Sequence, residues 1–129
     1  MGIRLALAGD TMLGRGVARE LELGTPPEAH VSPEVVEAAR SADLFVLNLE
    51  CCISDRGEPW RRPGKPFFFR APPLAVRTLS HLGVDCVTLA NNHALDFGEE
   101  ALLDTLEHLR AAGIRAVGAG PDEAAAREP

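Results

Sequence analysis

Three polar clusters, far apart along the chain, carry the residue types that could do chemistry. The first is Gly9-Asp10-Thr11-Met12-Leu13-Gly14-Arg15, the second is Asn48-Leu49-Glu50, and the third is Asn91-Asn92-His93-Ala94-Leu95-Asp96. Carboxylate oxygens, amide oxygens and imidazole nitrogens are ligands of Mg²⁺, Mn²⁺ and Zn²⁺. Crowded carboxylates without a cation would repel, and one would take up a proton near neutral pH. The residue types therefore favour a divalent metal site.

Each polar cluster follows a short apolar run that is typical of a buried strand. The predicted strands are residues 3–8, 44–49, 84–89 and 114–117, and their near-continuous hydrophobicity predicts a parallel sheet covered on both faces. Ligands bind at the carboxyl ends of the strands in open α/β sheets. We therefore expect the first three strands to be neighbours, with Asp10, Glu50, Asn92 and His93 together at one edge.

Helical patterns alternate with the strands, which predicts an α/β fold built from βαβ units. One helix is expected to start at Ser32, and another to follow Pro73 and end at Gly83. A third is expected to begin with Asp96 as its cap and Glu99 in the capping-box position. The predicted buried faces of the three helices comprise Val35, Val36, Ala39, Ala75, Val76, Leu79, Leu82, Leu102, Leu103, Leu106 and Leu109.

Composition limits the function classes. A chain of 129 residues with 46% apolar residues can bury one core, so we expect a single domain over residues 1–129. A net charge of −6 disfavours a nucleic-acid partner, because phosphate backbones are bound mainly by clustered Lys and Arg. No apolar run approaches the roughly 20 residues of a membrane span. Three cysteines, two of them adjacent, suit a reducing compartment, so a cytoplasmic location is expected.

Four motifs occur in a diagnostic order: Gly-Asp-x-Met-Leu-Gly-Arg at 9–15, Asn-Leu-Glu at 48–50, Phe-Arg-Ala-Pro at 69–72, and Ala-Asn-Asn-His-x-x-Asp-Phe-Gly at 90–98. With these motifs the chain resembles the bacterial capsule-synthesis family (CapA-type, poly-γ-glutamate), which is similar to the calcineurin-like metallophosphoesterases. The resemblance implies a metallophosphoesterase-like layered sandwich (α/β/β/α), of which this chain forms the N-terminal βαβαβαβ half. It also implies an association with the cell envelope.

The resemblance also implies roles for individual residues. Asp10, Glu50 and Asn92 would bind a divalent metal ion (Mn, Mg or Zn), and His93 would protonate a leaving oxygen or steady a phosphoryl group. Met12 stands where metallophosphoesterases have a histidine ligand. Glu50 stands in place of their bridging aspartate, and Asn91 in place of a glycine.

Several of these residues have a purely structural alternative. Asp10 can be a turn residue, and Asn92 a loop residue with a left-handed backbone. Asp96 is expected to cap the following helix and to orient His93, with the cap the stronger prediction.

Other polar residues are candidates for contacts with substrate. Arg15, Arg70 and Asn91 are predicted to bind an anionic group of the substrate, although both arginines can instead form surface ion pairs. Cys51 and Cys52 adjoin Glu50, but burial is favoured over a catalytic or metal-binding role.

Two hypotheses for the function follow. In the first, the chain belongs to a metal-dependent phosphoesterase-like hydrolase of capsule or poly-γ-glutamate synthesis, with a phosphate- or carboxylate-bearing substrate or polymer. In the second, it is a non-catalytic member of the same fold that binds an anionic polymer or acts as a scaffold. The predicted strands supply about one of the two sheets of the sandwich, so we expect a homodimer or association with the missing half.

Overall fold

A parallel sheet forms the centre of the computed structural model, which describes residues 2–129. In spatial order its strands are β1 (Leu5–Thr11), β2 (Leu44–Leu49), β5 (Cys86–Thr88) and β6 (Arg115–Val117). All neighbouring strands in this sheet are parallel. A second, two-stranded sheet contains β3 (Cys52–Ile53) and β4 (Arg70–Ala71), which lie between β2 and β5 along the chain. The α/β class and the adjacency of the first three predicted strands are confirmed.

Five α-helices are present among the described residues: α1 (Arg15–Glu22), α2 (Pro33–Arg40), α3 (Val76–Leu82), α4 (Gly98–Ala111) and α5 (Glu123–Ala126). Short 3₁₀ turns at Pro27–His30 and Pro73–Ala75 precede α2 and α3. Gly83 ends α3 in a left-handed conformation with φ of 75°, as predicted. Helix α1 was not predicted, because only Ala18 and Leu21 are buried among its polar residues, which is too sparse a stripe to recognise.

The core lies between one face of the sheet and the helices. Phe45, Leu47, Leu49 and Val87 are each at most 7% exposed, and they form one cluster with helix residues such as Leu79. Truncating a buried leucine of this kind costs about 2–5 kcal/mol. This face therefore fixes how the strands, and the polar residues at their ends, are held.

Two predicted details of the helices are wrong. Helix α4 begins at Gly98, and its N-cap residue is Phe97, so Asp96 does not cap it. Val35 and Leu103 are 53% and 47% exposed, whereas their neighbours Val36 and Leu102 are buried. Adjacent helical residues point about 100° apart, so Val35 and Leu103 lie beyond the edge of the buried stripe that contains Val36 and Leu102.

The second face of the sheet is open within residues 2–129. Leu7, paired in register with Val46, is 72% exposed, and Leu5 and its partner Leu44 are 54% and 45% exposed. The expectation that both faces are covered is therefore wrong for this part of the chain. The crossovers all proceed in one direction along the sheet, and right-handed crossovers of that kind place every connecting helix on the same face.

We expect the 129-residue chain to self-associate through this open face, because large apolar patches seldom persist on soluble monomers. Light scattering should give a mass above the 13.8 kDa of one chain. Leu7→Glu should lower that mass towards the monomer value. Leu23→Glu is the matched control, because Leu23 is equally exposed, at 71%, but lies at the end of α1. A wild-type chain that is a monomer at high concentration would contradict the prediction.

Within residues 2–129, no helix has the length and apolarity needed to cross a membrane.

Candidate functional site

The amide of Asn48 lies at the centre of a polar network at the carboxyl ends of the strands. Its Nδ2 donates to Asp10 Oδ1 at 2.9 Å and to Glu50 Oε1 at 3.0 Å. Its Oδ1 accepts hydrogen bonds from Thr88 Oγ1 at 2.9 Å and from Asn91 Nδ2 at 3.0 Å. One side chain thus joins the polar ends of β1, β2 and β5.

An irregularity in β1 places Asp10 in this network. Leu7 pairs with Val46, but the next recorded pair is Asp10 with Asn48, so β1 carries one extra residue over this stretch. Without that residue, Gly9 would pair with Asn48, and Asp10 would lie on the opposite face of the strand. A shift of one residue reverses the face of every following side chain, and a β-bulge is the usual way to aim a side chain at a site.

His93 lies beside Glu50 and is held on three sides. Its Nδ1 is 2.6 Å from Asp96 Oδ2, and its ring stacks on Phe69 with 4.1 Å between centroids. Its backbone N–H donates to Asn91 Oδ1 at 2.9 Å. The remaining ring nitrogen, Nε2, lies 3.7 Å from Glu50 Oε2. The imidazole is therefore oriented with Nε2 towards the carboxylate of Glu50.

Asp96 is buried beneath His93 and connects it to the long loop before β4. Its carboxylate is fully inaccessible to solvent, and Oδ2 also accepts the backbone N–H of Phe69 at 2.6 Å. Its Oδ1 forms an ion pair with Lys65 Nζ at 2.7 Å. Of the two roles predicted for Asp96, the contact with His93 is observed.

The network includes residues that sequence reasoning missed. Asn48, Lys65 and Phe69 all contact predicted site residues. Their signals were weak: Asn48 belongs to the Asn-Leu-Glu strand end, Phe69 precedes Arg70, and Lys65 is the single lysine in the chain. The contacts of Lys65 and Phe69 depend on the path of a loop that has no periodic pattern.

Asn92 stands apart from the other predicted site residues. Asp10, Glu50, Asn91 and His93 are linked by the contacts above, whereas Asn92 is exposed and its side chain forms no hydrogen bond within residues 2–129. Its backbone carbonyl accepts a hydrogen bond from Lys65 Nζ. The ligand role of Asn92 stays a prediction.

The two arginines predicted to bind substrate lie outside the Asn48 network. Arg70 Nη1 donates to the carbonyls of Arg56 and Gly57 at 3.2 and 3.1 Å, and its guanidinium lies 4.2 Å from the centroid of the Phe97 ring. Arg15 is exposed and lies 5.7 Å from the centroid of the Phe67 ring. Their roles in substrate binding also stay predictions.

Cys51 and Cys52 are buried, which agrees with a packing role. Both are 0% exposed. Burial raises the pKa of the Cys51 thiol to about 12 and that of Cys52 to about 11. Since the thiolate is the nucleophile and the metal ligand, neither cysteine is prepared for chemistry near neutral pH.

Within residues 2–129, no group of three His, Cys, Asp or Glu side chains is arranged closely enough to hold a metal ion by itself. At the Asn48 network, two carboxylates, those of Asp10 and Glu50, lie on the same amide, and His93 lies beside Glu50. Any ion at this position would need further donors, such as the Asn92 amide or water.

Two relatives of the chain are named for polyglutamine synthesis and for capsule biosynthesis. A Mycobacterium tuberculosis protein named "Probable polyglutamine synthesis accessory protein" is 45% identical over 87 residues, which are 67% of this chain and 22% of that protein. The "Capsule biosynthesis protein CapA" of Bacillus anthracis is 28% identical over 122 residues, covering 92% of this chain and 28% of that protein. The chain thus spans less than a third of these relatives.

The family comparison covers almost the whole chain. The family described as "Bacterial capsule synthesis protein PGA_cap" matches residues 4–129. This range includes both carboxylates of the Asn48 network, His93 and Asp96. The chain therefore belongs to the bacterial capsule synthesis protein family PGA_cap.

Proposed function

We propose that this chain carries the reaction centre of a metal-dependent, phosphoesterase-like hydrolase that acts in capsule or poly-γ-glutamate synthesis. The observation that carries the proposal is the Asn48 amide, which holds the carboxylates of Asp10 and Glu50 together beside the oriented His93. The names of the relatives support the biological context.

The donor set fits a divalent cation. Asp10 and Glu50 bond to the same nitrogen, so the bonded oxygens lie within about 6 Å of each other. No Lys or Arg among residues 2–129 forms an ion pair with either carboxylate. Two adjacent carboxylates favour a bound cation. Oxygen donors suit Mg²⁺ or Mn²⁺, and the imidazole of His93 is a donor type that suits Zn²⁺.

Each residue then has a defined task. Asp10, Glu50 and Asn92 would hold the ion, which, when bound, lowers the pKa of a coordinated water. Asp96 fixes Nδ1 of His93, so that Nε2 faces the carboxylate of Glu50. From this position Nε2 would give a proton to the leaving oxygen. Stacking on Phe69 restrains rotation of the ring. A carboxylate bonded to one ring nitrogen of a histidine fixes the tautomer and the orientation of the ring.

A phosphodiester assay tests this proposal. Hydrolysis of bis(p-nitrophenyl) phosphate should appear with Mn²⁺, Mg²⁺ or Zn²⁺ and disappear with EDTA. Because the chain spans less than a third of its relatives, a longer family member is assayed in parallel. If neither protein hydrolyses the ester with any of the three metals, the hydrolase proposal is wrong.

One observation favours the non-catalytic alternative. Met12 stands where metallophosphoesterases have a histidine ligand, and its Sδ accepts the backbone N–H of Gly14 at 3.0 Å. A thioether is a poor ligand for Mg²⁺ or Mn²⁺, so this centre has one donor fewer. An anionic-polymer-binding or scaffold protein would bind poly-γ-glutamate without cleaving phosphodiesters.

A further inference from the structure

A small recess lies against the turn that carries His93, and two of its side chains, Trp60 and Arg62, have no role in the proposed chemistry. It holds about 100 Å³ and is lined by Trp60, Arg62, Lys65, Asn92, Leu95 and Asp96. One wall comes from the long loop before β4, and the other comes from the turn that carries His93. Two of its lining residues, Asn92 and Asp96, lie in the same turn as His93.

A tight turn brings the two cations of the recess together. Pro63 and Gly64 occupy its centre, Gly64 has φ of 80°, and the backbone N–H of Lys65 donates to the carbonyl of Arg62 at 3.4 Å. A proline followed by a residue with positive φ is the signature of a type II turn, which glycine adopts without strain. Arg62 and Lys65 therefore stand at the two ends of one turn.

The long loop is also tied down at its other side. The backbone N–H of Trp60 donates to the carbonyl of Asp96 at 2.7 Å. Lys65 Nζ donates a hydrogen bond to the carbonyl of Asn92 and forms the ion pair with Asp96 Oδ1. These contacts hold the backbone at Trp60 and the ammonium of Lys65 against the His93 turn, so these walls of the recess are in place before any ligand arrives.

The charges of the lining residues leave a surplus of positive charge. Lys65 and Asp96 neutralise each other, and the ammonium of Lys65 donates one hydrogen bond, to the carbonyl of Asn92, so further donors remain. Arg62 is exposed and forms no ion pair within residues 2–129. A free guanidinium and a spare ammonium donor favour the binding of an oxyanion in the recess.

We propose that this recess is a subsite for a carboxylate or phosphate group, bound by Arg62 and by a remaining donor of Lys65 beside the Trp60 ring. A role of this subsite in substrate specificity rests on the proposed function. The substrate would then carry a second anionic group near the bond that is hydrolysed at His93. The recess admits a group of the size of one carboxylate or phosphate, and the unpaired guanidinium supplies the charge.

Trp60 reports on this subsite directly, because it is the single tryptophan in the chain. The metal-free protein is titrated with inorganic phosphate and, separately, with glutarate, at constant ionic strength set with NaCl. A saturable change of Trp60 fluorescence is expected with at least one ligand. Saturation by phosphate alone or by glutarate alone identifies which anion the recess accepts.

The neighbouring arginine supplies the matched control. Arg62→Met should weaken binding about tenfold or more, as expected for the loss of a charge-assisted contact. Arg61→Met removes the same charge one residue away, from a side chain that does not line the recess, and should leave the affinity unchanged. Arg62→Lys should recover part of the loss, and circular dichroism confirms that each variant is folded.

Two results would overturn the subsite. One is the absence of any saturable fluorescence change with both ligands. The other is equal weakening by Arg61→Met and Arg62→Met, which would indicate general charge attraction. The titration needs neither metal nor turnover, so the two proposals fail separately: saturable binding here, with no hydrolysis by either protein in the phosphodiester assay, would remove the hydrolase proposal and keep an anion-binding recess.

Discussion

Asp10→Ala is expected to lower metal-dependent hydrolysis about 10²–10³-fold, the range found when one preorganised polar group of a reaction centre is removed. Asp10 supplies one of the two carboxylates on the Asn48 amide, so its loss leaves Glu50 as the remaining carboxylate at this position. The free energy of unfolding without metal should change little, because Asp10 is exposed and its removal relieves repulsion with Glu50.

Turnover and thermal melting, each with and without Mn²⁺, check this expectation. A ligand that binds only the folded state raises the melting temperature, so the wild-type chain should be stabilised by Mn²⁺ and the variant should not. Asp55→Ala is the control, because it removes the same charge from an exposed residue outside the Asn48 network. Equal turnover and equal stabilisation by Mn²⁺ in wild type and Asp10→Ala would show that Asp10 is not a metal ligand.

Asp96→Ala is expected to destabilise the protein by about 3–5 kcal/mol, the cost of removing one partner of a buried ion pair. The variant leaves the ammonium of Lys65, which is only 17% exposed, without its carboxylate. It also removes the acceptor for the Phe69 N–H and for Nδ1 of His93. Urea unfolding of wild type and variant measures the difference directly.

A double variant separates the charge from the packing. Asp96→Ala combined with Lys65→Met should recover part of the lost stability, because no unpaired charge then remains in the interior. Lys65→Met alone should also be destabilising, since it leaves the fully buried carboxylate without its ion-pair partner. An Asp96→Ala variant within 1 kcal/mol of wild type would mean that the buried network contributes little net stability.

Much of the fold follows from local pattern. The strand at 44–49 was predicted with its observed bounds, and the other three strands of the main sheet overlap their predictions. Continuous apolar runs separated by helical segments have few solutions other than a parallel α/β sheet. The convergence of Asp10, Glu50 and His93 follows in turn, because the carboxyl ends of parallel strands share one edge.

Local pattern does not reveal which face a side chain takes when the register changes. Asp10 reaches Asn48 only because β1 carries an extra residue between Leu7 and Asp10, and a bulge depends on both strands of the pair. The open face of the sheet was hidden for a similar reason. Hydrophobicity marks a strand as apolar on both sides, but the direction of the crossovers decides which side the helices cover.

By itself, the sequence determined the class of the fold, the edge at which the polar residues meet, and the motifs that mark the family. Only the tertiary structure decided that Asn48 joins the carboxylates and that Asp96 supports His93 instead of capping α4. It also decided that Lys65 pairs with Asp96 across 31 positions of the chain. Apolar strand runs and helical stripes are local patterns, so neighbouring residues are enough to identify them. The partner of a buried charge is instead chosen by whichever distant segment the fold brings within hydrogen-bond distance.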